Sequence, residues 1–373
     1  MRVHLLAVPN TQTTDAYPLD GFCVRTRYFA RLLLRLGHEV FLYGVGENDT
    51  PCTAFIQCLT TEEQRGLIGD TPYQSVPFTG ASLLFQTFNK RAGIHLRGMK
   101  QPHDVIATIT GSAQQLVSEQ NPELLFLEYS IGYSGICAPY RVYQSQVWRH
   151  TMHGATGVDS GRTFDGVIPP WFNADAVPVH TDAPEDYVAF VGRLIPAKGL
   201  KTACDAAERA GVRLVVMGHG DSSLVTYGEY LGPVPSAERD RILSKARACL
   251  MPTQYLEPFG NVAAEAQLCG TPMITTDYGA FTESVEQGAS GFRCVTLGEF
   301  VQAIDLARGL DRSYIRARAV RLYGEDAAAH SYAAYFRRLA LVQGAGADSL
   351  DPTLPFEMEQ IPNAKEIAED RAA

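Results

Sequence analysis

The sequence predicts two doubly wound α/β domains that face each other across a cleft. Its length of 373 residues is too great for one ordinary α/β domain and suits two domains of about 150–180 residues. An apolar fraction of 46% is ample for two hydrophobic cores. The second half alternates short apolar strands with helical segments, and this pattern implies parallel sheets covered by helices on both faces.

The first half opens with a βαβ unit. An apolar strand at 3–8 leads through a polar loop to Asp20 and Gly21, which begin a helix with Asp20 as the N-cap. Large apolar residues then recur at helical spacing until Gly37, and a second strand follows at 39–44. Further strands are predicted at 104–109, 124–128 and 141–143.

The second half has the more regular pattern. Strands are predicted at 187–191, 212–217, 248–251, 273–276 and 292–295, and helices at 199–210, 236–247, 262–269, 281–287 and 299–308. A last amphipathic helix is predicted at 326–341. The predicted organisation is a first domain at 1–175, a linker at 176–185, a second domain at 186–325, a C-terminal helix at 326–342 and an acidic, mobile tail at 343–373.

Bulk properties narrow the class of protein. The net charge is −9, no apolar run reaches the length of a membrane-spanning helix, and the N-terminus lacks a cleavable signal pattern. The eight cysteines are scattered and form no C-x-x-C, which favours structural thiols in a reducing cytoplasm. We therefore expect a cytoplasmic protein; the sequence indicates no oligomeric state.

One local cluster is basic and contains Lys90, Arg91, Arg97 and Lys100. Two interpretations stay open at this point. The cluster is either a solvated loop face or a docking patch for an anionic acceptor.

The most informative motif places Glu257 and Glu265 eight residues apart, around a Pro-Phe-Gly loop that opens a helix. The free N–H groups at the helix start would face a ligand beside Phe259, Gly260 and Asn261, and such a start favours anions. Both acids could accept hydrogen bonds from hydroxyl groups of the same ligand. A ligand with central phosphates and hydroxyl-rich rings at both ends is a nucleotide sugar.

Three segments in register carry a family resemblance. Glu257 to Glu265 fit an E-x7-E signature, 191–199 fit a G-R-L-x-P-x-K-G segment, and 269–279 continue the match as far as Glu283 and Gly291. Across roughly 186–295 the chain resembles retaining GT-B glycosyltransferases of family 4 (group 1). The resemblance implies a GT-B fold, whose last helix crosses back onto the first domain, and transfer of a sugar with retained anomeric configuration.

Site residues follow from the residue types and from the resemblance. Arg193 and Lys198 follow a strand end and would stabilise the departing diphosphate. The planar guanidinium of Arg193 can bind two phosphate oxygens at once, and the ammonium of Lys198 supplies a mobile positive charge. The resemblance assigns Glu257 to the transferred sugar and Glu265 to the ribose hydroxyls. The remaining donor contacts that it implies are backbone and loop positions: Gly21, Gly192, Leu231, Val234, Phe259, Gly260, Asn261 and Val262.

The first half resembles the family only in its opening strand, turn and helix. Asp20 stands where the family has a glycine. Two interpretations of His153 stay open: it contacts the donor sugar, or it is hydrogen-bonded to nearby backbone groups. Tyr129 and Trp148 are candidates to stack on an acceptor base. The acceptor interpretations are a glycan, a protein or a hydroxymethylated DNA base.

The expected donor is a UDP-sugar or GDP-sugar, with no cofactor. Because no D-x-D occurs, we predict an enzyme without a metal site in which cations and helix N-termini replace the ion. Three other functions are alternatives: a dehydrogenase, for which the chain lacks a third glycine after Gly218 and Gly220, a silent nucleotide-sugar binder, and a GT-B epimerase or phosphorylase.

Overall fold

The computed structural model describes residues 1–18, 20–178 and 184–345. The chain divides into one compact unit at 1–333 and a second at 334–373, and both sheets lie in the first unit. The predicted domain boundaries therefore stay predictions. Part of the predicted linker, 179–183, and most of the predicted tail, 346–373, lie outside the described residues.

The first sheet contains seven parallel strands in the order β3-β2-β1-β4-β5-β6-β7. Its strands are β1 (Arg2–Leu6), β2 (Glu39–Val45), β3 (Ala54–Leu59), β4 (Val105–Thr108), β5 (Leu125–Ile131), β6 (Tyr140–Tyr143) and β7 (Asp165–Val167).

The second sheet contains six parallel strands in the order β10-β9-β8-β11-β12-β13. Its strands are β8 (Tyr187–Val191), β9 (Arg213–Met217), β10 (Glu229–Gly232), β11 (Ala248–Met251), β12 (Met273–Thr276) and β13 (Gly291–Cys294). Two doubly wound parallel sheets are the predicted fold class, which is confirmed.

The α-helices of the described residues connect and cover these strands. They are α1 (Gly21–Arg35), α2 (Thr61–Ile68), α3 (Leu83–Met99), α4 (Gln115–Glu119), α5 (Gln146–Thr156), α6 (Leu200–Arg209), α7 (Ser236–Lys245), α8 (Asn261–Leu268), α9 (Phe281–Ser284), α10 (Leu297–Leu306), α11 (Arg312–Tyr323) and α12 (Glu325–Ala345). The Asp20 side chain caps α1 by accepting from the amide of Cys23, as predicted.

The core of the second sheet follows the two-residue period of its strands. Val188 and Phe190 pack into the cluster on one face, whereas Ala189 packs into the cluster on the other face. Because both faces are buried, these strands read as continuous apolar runs. That property made the second half easier to predict than the first.

The last helix, α12, contacts α1 through its first two turns. Arg35 forms ion pairs with Glu325, at 3.3 Å, and with Asp326. The ring centroid of Tyr332 lies 5.0 Å from that of Phe29. These contacts join the end of the compact unit to its first helix.

Candidate functional site

The site is built where the strand order of the second sheet reverses. β8 lies beside β11, although the chain forms two strands on one side of β8 before it returns to β11. Loops after two such strands leave in opposite directions and open a crevice at the carboxyl edge of the sheet. Arg193 and Lys198 follow β8, and Glu257 follows β11.

Glycines allow these loops to lie against one another. Gly199 has a φ of 73°, and a Cβ there would collide with the carbonyl of Pro252. The amide of Gln254 donates to the carbonyl of Ala197 at 2.8 Å. The loop after β8 is therefore fixed directly against the loop after β11.

This approach brings two predicted catalytic side chains together. The Nζ of Lys198 donates to Oε2 of Glu257 at 2.7 Å, and their side chains are only 13% and 12% exposed. Lys198 Nζ also lies 4.9 Å from the ring centroid of Tyr255. The pair therefore presents a partly desolvated cation and a carboxylate at the crevice.

Tyr255 lies between this ion pair and Arg193 and interacts with both. Burial, followed by the charge of Glu257, raises the pKa of Tyr255 well above its ordinary value, whereas nearby Arg193 acts in the opposite direction. Arg193 itself is exposed. Sequence reasoning missed Tyr255. Its position two residues before Glu257 is the one signal that could have indicated it.

The helix start predicted to face phosphates is α8. Its N-cap, Gly260, has a φ of 84°, and no side chain of the described part of the chain caps the helix. Asn261 is exposed, so the start of α8 is accessible to a ligand. Phe259 is 4% exposed, and its ring packs against Tyr323 at 5.4 Å between centroids, so only its backbone is left for a ligand.

Glu265 lies one turn into α8, as predicted, and has a cationic partner that the sequence did not reveal. Oε1 of Glu265 lies 3.3 Å from Nη2 of Arg239, and its side chain is 16% exposed. Burial raises the pKa of the Glu265 carboxyl above its ordinary value, although Arg239 opposes this shift. Arg239 stands on α7, where helical periodicity reports burial and not ion pairing.

The other predicted donor contacts of the second half lie on neighbouring loops. Leu231 is 39% exposed at the end of β10, and Val234 packs at the margin of the core. Gly192 and Gly218 lie so close that a Cβ on Gly218 would strike the carbonyl of Gly192. Leu231 near the end of β10, and Gly192 and Val234 in the loops after β8 and β10, thus lie at the carboxyl edge of the sheet, as do the catalytic candidates.

In the first sheet, Gly21 follows β1 and a Cβ there would meet no atom within 4 Å, so space is open beside it. Asp20 is only 6% exposed, and both of its oxygens are already engaged, by the amide of Cys23 at 2.8 Å and by Nδ2 of Asn10 at 3.0 Å. Asp20 is a helix cap in this structure, and the arrangement gives no support to the suggested sugar contact.

Tyr129 cannot stack on an acceptor base, because it is fully buried. Its ring stacks on Phe29 at 4.1 Å between centroids, and its hydroxyl donates to Thr26 at 3.1 Å. The predicted strand ended at 128, whereas β5 continues to Ile131 and takes Tyr129 into the sheet.

Trp148 and His153 both lie on α5. Trp148 is partly buried and packs beside a small apolar cluster. Nε2 of His153 lies 2.8 Å from Oδ2 of Asp165, so this histidine is satisfied locally. Eight residues of helix, about 12 Å, separate it from the start of α5 at Ser145. The donor-sugar role suggested for His153 receives no support from this arrangement.

The basic cluster lies on α3 and not on a loop. Three of its four cations have local partners: Arg91 pairs with Glu63 at 2.8 Å, Lys100 pairs with Glu123, and Arg97 contacts Gln120 at 3.4 Å. The exposed Lys90 completes the cluster.

The end of α3 lies at the amino edge of the first sheet. The carbonyl of Met99 accepts a hydrogen bond from Arg2, which begins β1, at 3.0 Å. Arg97 and Lys100 therefore lie at the edge of the sheet opposite to Gly21.

Within 1–18, 20–178 and 184–345, no cluster of three or more histidine, cysteine, aspartate or glutamate side chains is placed to hold a metal ion. Over the same ranges, no helix combines the length and apolarity that crossing a bilayer requires. The eight cysteines are free thiols, and six of them are buried.

Comparison with known proteins places this geometry in a family context. Residues 185–307 match the protein-family model described as "Glycosyl transferases group 1". The chain is 31% identical over 121 residues to glycogen synthase of Mycobacterium tuberculosis, a match that covers 28% of this chain and 29% of that protein. It is 34% identical over 120 residues to D-inositol 3-phosphate glycosyltransferase of Mycolicibacterium smegmatis, covering 28% of each protein.

Solved structures are similar over nearly the whole chain. AviGT4, a glycosyltransferase involved in avilamycin A biosynthesis, superposes with a TM-score of 0.61 at 22% identity, covering 91% of this chain and 98% of its own. Anabaena HepE, in complex with UDP and glucose, gives a TM-score of 0.62 at 14% identity, covering 91% and 100%.

The matches differ in what they cover. The sequence matches span under a third of the length of those curated relatives, and the structural matches at this identity bear on the fold. Residues 185–307 match the group 1 glycosyl transferase family model, and the GT-B architecture implied by the motifs is confirmed.

Proposed function

We propose that the chain is a glycosyltransferase that moves a sugar from a nucleotide-sugar donor to an acceptor hydroxyl. The observation that carries the proposal is the contact of Lys198 with Glu257, beside Arg193, at the strand-order reversal of a group 1 domain. A crevice at this position is where open α/β sheets bind nucleotides.

The reaction requires charge to be stabilised on the departing diphosphate. As the bond between the sugar anomeric carbon and the phosphate oxygen breaks, its electron pair passes to that oxygen. Arg193 and Lys198 stabilise the developing charge, and the uncapped start of α8 adds the positive end of its dipole. Cationic side chains aimed at this position can replace a metal ion, so we propose a metal-independent reaction.

The two acids of the motif orient the donor. Glu257 accepts hydrogen bonds from the transferred sugar, and Lys198 holds its carboxylate in place at 2.7 Å. Glu265 accepts from the ribose hydroxyls, while Arg239 balances its charge. The loop at Leu231 and Val234 receives the base. HepE has been solved with UDP and glucose, and this supports a UDP-sugar donor, with a GDP-sugar as the other candidate.

We propose that the sugar keeps its anomeric configuration. The acceptor oxygen bonds to the anomeric carbon on the face that the phosphate leaves, and the acceptor proton passes to the departing phosphate oxygen. No protein base opposite the leaving group is then required. Proton NMR of an early product tests this step, since an inverted anomeric centre would exclude it.

The position of the basic cluster lends no support to a DNA acceptor. A DNA acceptor needed the cations of α3 to meet phosphates near the reacting sugar. Arg91 and Lys100 are paired with acids, and Arg97 and Lys100 lie at the edge of the first sheet opposite to Gly21. We therefore favour a glycan or protein hydroxyl as acceptor.

Cytoplasmic localisation stays a prediction.

One experiment tests the proposal. UDP-, GDP-, ADP- and TDP-sugars are titrated by calorimetry, and the donor that binds is then offered in radiolabelled form to glycan, protein and DNA pools. We expect label in one pool with the wild type and none with Glu257→Ala or Arg193→Ala. Tight donor binding without transfer or hydrolysis would instead identify a non-catalytic nucleotide-sugar binder.

A further inference from the structure

The start of α5, the helix that follows β6 of the first sheet, contacts the loop that carries Glu257. Ser145 is the N-cap of α5, and its Oγ accepts from the amide of Trp148 at 3.0 Å. The same hydroxyl donates to the carbonyl of Pro258 at 2.6 Å. One side chain therefore caps a helix of the first sheet and binds the residue next to Glu257 in the second.

Glu283 completes the capping of the same helix from the second sheet. Its Oε2 accepts from the amide of Gln146 at 3.0 Å, and its Oε1 accepts from the amide of Val147 at 2.5 Å. The first three amides of α5 are thus satisfied by Ser145 and by a carboxylate from the other sheet. A carboxylate at this position also complements the helix dipole.

The segment that carries Glu283 is itself bonded to the catalytic loop. The amide of Ala280 donates to the carbonyl of Glu257 at 3.0 Å. Gly279 has a φ of 65° and lies so close that a Cβ there would stand 2.9 Å from the amide nitrogen of Glu257. Ser145 at the start of α5 therefore contacts Pro258, the residue after Glu257. Glu283 caps α5 and belongs to the segment in which the amide of Ala280 binds the Glu257 carbonyl.

We infer that Ser145 and Glu283 are positioning residues that hold the Glu257 loop in register with the first sheet. This inference rests on the proposed function and adds to it a requirement: Glu257 is aimed at the transferred sugar only while α5 is docked. Arg193, Lys198 and Glu265, the three side chains that the proposed function assigns to the nucleoside diphosphate, all belong to the second sheet's elements. Loss of the docking therefore lowers the rate of transfer more than the affinity for the nucleoside diphosphate.

The variants Ser145→Ala and Glu283→Ala test this inference in the full chain. Each removes hydrogen bonds between the two sheets, and we expect the turnover number for transfer to fall about tenfold. The affinity for UDP, measured by calorimetry, should change less than about twofold. Ser145→Thr keeps both the hydroxyl and the capping function, so it should restore most of the turnover.

Ser82→Ala is the matched control. Ser82 caps α3 by accepting from the amide of Phe85 at 3.3 Å, and it donates to the carbonyl of Thr79, so its contacts stay within the first sheet's elements. It reports the effect of losing a serine cap without losing a contact between sheets. If Ser145→Ala slows transfer no more than Ser82→Ala, the inference is wrong.

Hydrogen exchange gives a readout that requires no activity. The amides of Gln146 and Val147 should be protected in the wild type and should exchange about tenfold faster in Glu283→Ala, but not in Ser82→Ala. Unchanged protection in Glu283→Ala would overturn the inference. A wild type that is docked but transfers no sugar would instead remove the proposed function and leave the docking intact.

Discussion

Lys198 and Glu257 are 59 residues apart in the chain, yet Nζ of the first lies 2.7 Å from Oε2 of the second. The contact exists because β8 and β11 are neighbours and because Gly199 lets their loops approach closely. The cation proposed to bind phosphate and the carboxylate proposed to bind a sugar hydroxyl thus form one partly desolvated ion pair. Removal of either partner would leave the other charge unpaired and partly buried, which costs free energy of folding.

Removal of the cation should affect chemistry strongly. We expect Lys198→Met to lower the single-turnover rate of transfer about 10²–10³-fold, equivalent to roughly 3–4 kcal/mol, because a donor aimed at the developing charge is lost. Lys201→Met is the control, since Lys201 is 78% exposed and pairs only with Asp205 on α6. A rate for Lys198→Met within twofold of the wild type would contradict its role.

Replacement of Glu265 should separate affinity from stability. Burial raises the pKa of its carboxyl, so the charged form is held at a cost in the free protein. We expect Glu265→Gln to weaken donor binding by about tenfold to a hundredfold, because a charged acceptor is lost. The free energy of unfolding should change by no more than about 1 kcal/mol in either direction, because removal of a buried charge opposes the loss of its ion pair with Arg239, which keeps Asp240 at 3.0 Å.

The measurements for this variant are calorimetric titration with the donor and urea unfolding. Glu238→Gln is the control, since Glu238 lies on α7 beside Arg239 but pairs with Arg241. Donor affinity equal to that of the wild type would show that Glu265 does not hold the ribose.

The sequence was most informative about the second half of the chain. Strand 273–276 was predicted residue for residue, and the helix predicted at 262–269 is observed at Asn261–Leu268. Buried parallel strands are continuous apolar runs, and Gly270 marks the helix end. The catalytic candidates came from residue types after a strand end and from the family resemblance, and the structure brings two of them, Lys198 and Glu257, into contact.

Other parts could not be predicted, for identifiable physical reasons. α3 was missed because Gly93 and Gly98 interrupt its helical pattern. Tyr129 was misplaced because the end of β5 is three residues later than its apolar run. Arg239 and Ser145 depend on partners distant in sequence, and single-residue patterns carry no information about them.

Acid should destabilise the protein partly through His4. This side chain is fully buried and contacts the Tyr43 hydroxyl and the Asp104 carboxylate, each at 2.8 Å. Burial lowers the pKa of His4 below 6.5, although Asp104 opposes the shift. Below pH 6.5 the unfolded chain therefore takes up a proton that the folded chain does not, and stability is lost as the pH falls.

The expected slope is at most one proton, or about 1.4 kcal/mol per pH unit. Urea unfolding at pH 7.5, 6.5 and 5.5 measures it, and His4→Gln should have a shallower slope than the wild type over this range. Coincident slopes for the two proteins would show that His4 does not contribute.

Removal of metal ions should leave transfer unchanged. In the proposed mechanism Arg193, Lys198 and the start of α8 carry the charge stabilisation. We expect the same initial rate before and after exhaustive EDTA treatment, measured with the radiolabelled donor. Activity that is lost with EDTA and restored by Mg²⁺ or Mn²⁺ would contradict the metal-independent mechanism.

The central claim is that Arg193, Lys198, Glu257 and Glu265 converge on one nucleotide sugar. Calorimetric titration of the wild type, Arg193→Ala and Glu257→Ala with UDP-glucose and GDP-glucose, and with the parent diphosphates, tests it most directly. We predict that Arg193→Ala weakens both the sugar donor and its diphosphate at least tenfold, whereas Glu257→Ala weakens the sugar donor alone. Equal affinities in all three proteins, or no binding to the wild type, would contradict the account.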